Sequence, residues 1–183
     1  MMENMICKLN NIISKAVIFH NESCLLFNFL SLNGFSKLHE FQAITEGITQ
    51  RRIKEFASSR YEIAIVDESM DNNLIKQLIK GQKRNDIKQE ERKSIIRESW
   101  IQYMEWEQFA LGEYEKLAQE MSKLGDVVAE RFIGKICDEV FDELEGVKYR
   151  LDAYIGMDFD TAQLQAEQDV LFGEYERKLK EWF

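Results

Sequence analysis

Not one of the 183 residues is proline. Proline interrupts helices because it lacks an N–H and its ring clashes with the preceding turn. Its absence, with abundant Glu, Lys, Leu, Ile and Gln, favours long unbroken helices. Apolar residues recur at steps of three and four, the spacing that lays one face of a helix against a core. One such stripe reads Ile96, Trp100, Tyr103, Glu107, Ala110, Tyr114, Leu117, Met121, and another Phe132, Ile136, Val140, Glu143, Val147, Leu151, Tyr154. Each holds one carboxylate where a hydrophobic side chain is expected. A core-facing carboxylate must be neutralised, paired or bound to a metal, because burying it bare is costly or forces its protonation. Two of them on neighbouring helices suggest a shared cation.

A chain of this length buries one sizeable core and is read as a single helical domain spanning 1–183. The formal charge of -9 argues against general nucleic-acid binding, which needs clustered Lys and Arg. Cys7, Cys24 and Cys137 are too far apart for a metal knuckle and too few for a complete disulfide framework, and they read as buried reduced thiols of a cytoplasmic protein. The apolar stretch from Ile12 to Leu32 is interrupted by Lys15, His20, Asn21, Glu22 and Asn28, so no membrane insertion is expected.

Periodicity places a first helix from about Asn4 to Leu30, with Ile6, Leu9, Ile13, Val17, His20, Cys24 and Phe27 on one face. Asn33-Gly34 reads as a turn leading to an antiparallel second helix from about Phe35 to Ser58. A long crossover follows (61–90), irregular at Tyr61 to Asp67, with a short helix at Asp71 to Gly81 and a charged linker to Gln89. The third helix runs from about Glu90 to Leu124 and stops at Gly125; the fourth starts under an Asp126 cap and stops at Gly156. Asp160 with Gln163 resembles a capping box for a last helix ending near Phe183. The expectation is an all-α bundle of two hairpins joined by a long connection, plus a fifth helix. An apolar band on that helix, Leu164, Leu171, Tyr175, Leu179 and Trp182, packs either on its own bundle or in a subunit interface. A homo-oligomer, most simply a dimer, follows from the second alternative.

Further polar residues lie on inward-facing lines. His20 sits between Val17 and Cys24, where a hydrogen-bonded core histidine is the commoner outcome and a metal ligand the other. Gln42, Glu46 and Thr49 continue a line from Phe35 through His39 to Ile53 and Phe56. A competing stripe of Leu38, Phe41, Thr45 and Ile48 would turn Glu46 partly outward. Glu139 and Asp142 flank Glu143, so the fourth helix offers either several carboxylates to one site or a charged flank.

Asn33-Gly34-Phe35-Ser36-Lys37-Leu38 through Gln42-Ala43-Ile44-Thr45-Glu46-Gly47-Ile48-Thr49 is similar to the second helix of ferritins. There a glycine at the hairpin turn precedes, by twelve residues, the Glu of a Glu-x-x-His ligand pair. Trp106-Glu107-Gln108 is similar to the third-helix His-Glu-Gln segment, and Asp138-Glu139-Val140-Phe141-Asp142-Glu143 to the fourth-helix Glu-Gln-x-Glu-Glu run. The chain thus resembles the ferritin-like superfamily of di-metal carboxylate proteins from about Ile13 to Ile155. The resemblance implies an up-down-down-up four-helix bundle and an iron or manganese site, with Glu46, Glu107 and Glu143 as primary ligands and His20, Glu139 and Asp142 completing the shell. It also implies a ferroxidase-like oxidoreductase that oxidises or stores iron. Departures accompany it. Thr49 stands where the Glu-x-x-His histidine belongs, and Ile13 or Ser14 where ferritins carry the first-helix Glu. The alternative function is a noncatalytic interaction or scaffold bundle with a degenerate site and a protein partner. Nucleophilic catalysis is weakly supported, since only His20 and His39 are available as imidazole bases and no Ser or Cys motif accompanies them.

Overall fold

A computed structural model describes residues 2–65 and 83–182. They form five α-helices: α1 (Met2–Phe29), α2 (Asn33–Tyr61), α3 (Gln89–Lys123), α4 (Val127–Gly156) and α5 (Gln165–Trp182), with a 3-10 turn at Arg84–Asp86 ahead of α3. No strand occurs among the described residues. The expected helix at Asp71 to Gly81 lies outside the described residues, as does the side chain of Trp182.

The helix ends show why the boundaries fall where they do. After α1, Ser31 adopts a left-handed φ of 57°, and its N–H and that of Leu32 return to the carbonyls of Asn28 and Phe27. This satisfies the last carbonyls of the helix through a Schellman-type cap. Glu62 closes α2 the same way, Gly125 closes α3 with φ 74°, and Asp158 and Phe159 follow the end of α4. Asp126 caps α4, its Oδ1 accepting from the N–H of Ala129 at 3.0 Å while Arg60 and Tyr61 donate to the same carboxylate. Asp160 does accept from the N–H groups of Ala162 and Gln163, but it closes a turn, and α5 begins only at Gln165.

The turn between the first two helices differs from expectation. Asn33 and Gly34 are already the first residues of α2, and the left-handed position is Ser31. Gly34 is required for another reason: a Cβ built there would lie 2.2 Å from the carbonyl oxygen of Gln168, so α5 crosses directly over the start of α2. The Gln168 side chain lies in the same crossing, its Oε1 accepting from the N–H of Phe35 at 3.1 Å.

Two apolar clusters fill the bundle. One gathers the late residues of α1 (Leu26, Phe27), the early residues of α2 (Phe35, Leu38), the early residues of α3 (Ile96, Trp100) and the late residues of α4 (Leu151, Tyr154). The other gathers Ile6, Leu9 and Ile13 of α1, Ile53 and Ala57 of α2, Tyr114 and Met121 of α3, and Ile133 and Ile136 of α4. All eight residues of the predicted α3 stripe are buried, Glu107 among them.

α5 packs on α2. Leu164, Leu171 and Tyr175 are buried in the first cluster, so this part of the band packs within the chain, while Leu179 is partly exposed. Among the described residues no helix is long and apolar enough to cross a membrane. The three cysteines are free and, contrary to expectation, partly exposed rather than buried.

The crossing at Gly34 yields a direct test. Gly34→Ala should force α5 away from α2 and lower stability by about 1–3 kcal/mol, the usual cost of overpacking. Gly47→Ala, whose added Cβ meets nothing within 4 Å, should be neutral or slightly stabilising. Denaturant titration of both variants, with amide exchange across 165–182 as the local readout, checks the contrast.

Candidate metal centre

Between the two apolar clusters lies a layer of polar side chains drawn from all four long helices. α1 supplies His20, α2 His39 and Glu46, α3 Tyr103 and Glu107, and α4 Glu143. His20 and His39 are 0% and 1% exposed, Glu107 1% and Glu46 7%. Each is brought there by the same three-and-four spacing that buries its apolar neighbours.

The centre of the layer is tight. His20 Nε2 lies 3.7 Å from Glu107 Oε1 and 3.8 Å from Glu143 Oε1, and the three atoms fall within 4.8 Å of one another. These separations exceed hydrogen-bonding distance. His20 Nε2 and Glu107 Oε1 are both buried and have no hydrogen-bond partner among the described residues. Glu143 is better provided for: the Tyr103 hydroxyl donates to its Oε1, and Gln42 Nε2 approaches that hydroxyl at 3.4 Å. On the far side of the imidazole, His20 Nδ1 meets His39 Nδ1 at 2.9 Å. One ring must donate in that bond. If His20 does, its Nε2 carries a lone pair directed at the two carboxylates. The pair is enclosed by aromatic rings, with Tyr103 edge-on to His20 at 5.1 Å and Phe27 stacked on His39 at 5.4 Å.

Burial sets the charge states. It pushes Glu107 up to about 8. Glu143 is raised first by burial and then by the charge of Glu107, with His20 and the Tyr103 hydroxyl acting in the opposite sense. Glu46 is raised by burial and then by Glu143, Glu107 and Glu139. His20 is lowered to about 4 by burial, against the pull of Glu143, and His39 is lowered by burial and by His20. Such a layer favours uncharged forms on its own and ionised carboxylates only when a cation is added.

The structure brings together His20, Glu107 and Glu143, with Glu46 buried beside them. Glu46 does not turn outward, because α2 buries the line of Phe35, His39, Glu46, Thr49 and Ile53, while Ile48 of the competing stripe is 38% exposed. Glu139 and Asp142 are not drawn in. Both are exposed, and Glu139 pairs with Arg52 at 3.1 Å. Both lie off the buried line of Val140, Leu144 and Val147, on the solvent side of a cleft that Glu143 also lines. Sequence reasoning missed the roles of His39 and Tyr103. The signal for His39 was its place on the α2 line seven residues ahead of Glu46; Tyr103 offered only its position one turn before Glu107. No protein-family profile and no curated protein matches this sequence.

The charge states predict how the metal-free protein responds to pH. Glu107 ionises near 8 in the folded chain but near 4.5 when unfolded, so ionisation withdraws stability as pH rises from 4.5 to about 8; Glu143 and Glu46 act in the same direction. His20 works oppositely. The unfolded imidazole takes up a proton below 6.5 and the folded one only near 4, so stability is lost as pH falls through that window. Above 6.5 the carboxylates act alone. The thermal midpoint of chelator-treated protein should therefore fall between pH 6.5 and about 8, and Glu107→Gln should flatten that fall.

Proposed function

We propose that this chain is a divergent ferritin-like metal-binding protein that holds iron or manganese between His20, Glu107 and Glu143. The observation that carries the reading is the pair of buried, partnerless atoms, His20 Nε2 and Glu107 Oε1, facing one another across 3.7 Å with Glu143 Oε1 beside them. Buried polar groups ordinarily find partners, and a divalent cation would satisfy both at once with Glu143 Oε1 as a third donor. Two carboxylate oxygens and one imidazole form a donor set suited to iron or manganese.

The helix order supports the ferritin-like part of the reading. Late α1, early α2, early α3 and late α4 share one cluster, and the opposite ends share the other, as an up-down-down-up bundle requires. α2 therefore ends, and α3 begins, at opposite ends of the bundle. The departures from ferritins favour one ion over two. Ile13 is buried in the apolar cluster, and Ser14 donates to the Asn10 carbonyl and accepts from Gln50. Thr49 offers no imidazole. His39, whose Nδ1 meets that of His20, acts as a positioning residue that fixes the ring and tautomer of the ligand. When bound, the ion would supply Lewis acidity or one-electron chemistry, and the chain's own contribution is to hold it in a layer closed on both sides by apolar clusters.

Metal analysis of protein purified without chelator tests this. Near-stoichiometric iron or manganese is expected in the wild type and none in Glu107→Ala, with His39→Phe weakening Mn2+ affinity by about 10–100-fold. If Glu107 only closes a core ion pair, Glu107→Ala would leave metal content unchanged and cost ~3 kcal/mol of stability.

A further inference from the structure

A cleft of about 440 Å³ opens between α2 and α4, and its lining includes Glu46, Arg52, Glu139, Asp142 and Glu143. Glu143 alone of the three centre residues lines it. Its side chain is 13% exposed, whereas those of His20 and Glu107 are 0% and 1%. Glu143 also borders a smaller cavity of about 120 Å³ with Tyr103 and Tyr175, and the larger cleft is the approach that reaches Glu46 as well. Glu46 lines the cleft and is close enough to the centre for Glu143 and Glu107, and to the mouth for Glu139, to act on its carboxyl group. It is 7% exposed, and no hydrogen bond or ion pair holds its carboxylate among the described residues. Leaving a buried carboxylate without a partner is expensive, and a cation in the cleft would relieve it.

The chemistry of the lining selects the ligand. Four carboxyl groups face a single guanidinium, and this set of hard oxygen donors suits a divalent cation rather than an anion. That guanidinium belongs to Arg52 of α2, which reaches Glu139 of α4 at 3.1 Å and 3.4 Å and so bridges the two helices that wall the cleft. Both partners are well exposed, at 38% and 52%, so the bridge is weak and readily broken.

We propose that this cleft is the entry route for the divalent cation, that Glu46 is the carboxylate on which the ion pauses before reaching His20, Glu107 and Glu143, and that the Arg52–Glu139 pair spans the mouth and is displaced as the ion enters. The inference rests on the metal-binding reading above. An ion at the mouth competes with Arg52 for Glu139, moves to Glu46 as the next unpaired carboxylate inward, and is passed to Glu143, which belongs to both cleft and centre. No covalent step is involved; water ligands are exchanged for carboxylate oxygens.

Stopped-flow mixing of the full chain with Co2+, read by quenching of tryptophan fluorescence, tests the route, because Trp100 and Trp106 lie in the same stretch of α3 as Glu107. Equilibrium dialysis of the same samples gives the stoichiometry. Glu46→Gln should slow association by about tenfold while leaving the final stoichiometry unchanged, and Arg52→Gln should accelerate it. Glu105→Gln removes one exposed charge outside the cleft and should match the wild type. Unaltered rates in both cleft variants would overturn the route, as would loss of the bound ion in Glu46→Gln, which would make Glu46 a resident ligand. Arg52→Gln changes an exposed side chain and keeps the test decisive if Glu46→Gln misfolds. A wild type that takes up no Co2+ defeats the metal-binding reading and this inference together. Wild-type uptake that Glu107→Ala abolishes, with both cleft variants unaffected, leaves the centre standing and removes only the route.

Discussion

The structure turns on the desolvation of three carboxylates and two imidazoles in one layer across the bundle. Glu46, Glu107, His20 and His39 lie in the interior, with Glu143 at its edge, between an apolar cluster at each end. Removing ionised groups from water costs several kcal/mol each after relaxation, and apolar residues of similar volume would close the same core at no such cost. The layer is thus a poor device for stability. What stability it forfeits is restored by the two clusters, whose largest buried side chains include Trp100, Tyr114, Tyr154 and Phe27. Those rings set the dielectric in which the carboxylates sit, so the same packing that holds the bundle together makes the layer responsive to an added cation.

Within the layer the donor set is organised asymmetrically. Glu143 is held by Tyr103 and faces the cleft, whereas Glu107 Oε1 has no partner and is sealed from solvent. His20 is steered from behind by His39. A carboxylate fixed by a phenol and an imidazole fixed by a second imidazole are pre-set for coordination, and pre-setting lowers the ordering cost of binding. The aromatic rings around the histidine pair leave it little room to turn.

Helix existence and the buried stripes of α3 and α4 were legible in the sequence because their period is set by the backbone and survives any tertiary arrangement. Glu107 and Glu143 were legible for the same reason: each interrupts a stripe whose other members are apolar. Glu46 was not, since two stripes on α2 competed and only packing against α1, α4 and α5 decides between them. Glu139 and Asp142 lie at the cleft and not in the His20, Glu107 and Glu143 cluster, a distinction that periodicity alone does not make where acidic residues crowd α4. The turn at Asn33-Gly34 shows a different limit. Glycine signals either positive φ or close approach, and only the crossing of α5 over Gly34 reveals the second. The covering of the α5 band by α2 was equally invisible, because an amphipathic face states that it needs a partner but not which one.

His39 connects these points. In the sequence it is one polar residue on an ambiguous helix, and its lowered proton affinity follows from burial and from a second imidazole. Two imidazoles joined through their Nδ1 atoms cannot both be protonated there, since each would present a donor to the other. The neutral pair has two arrangements, and they differ at the centre. With His20 as the Nδ1 donor, Nε2 offers a lone pair toward Glu107 and Glu143. With His39 as the donor, Nε2 of His20 carries a proton, which at 3.7 Å is too far for a hydrogen bond with Glu107 yet excludes a cation. A cation bound at Nε2 would therefore select the first arrangement, so that the tautomer of a ring on α2 would follow from what His20 of α1 coordinates.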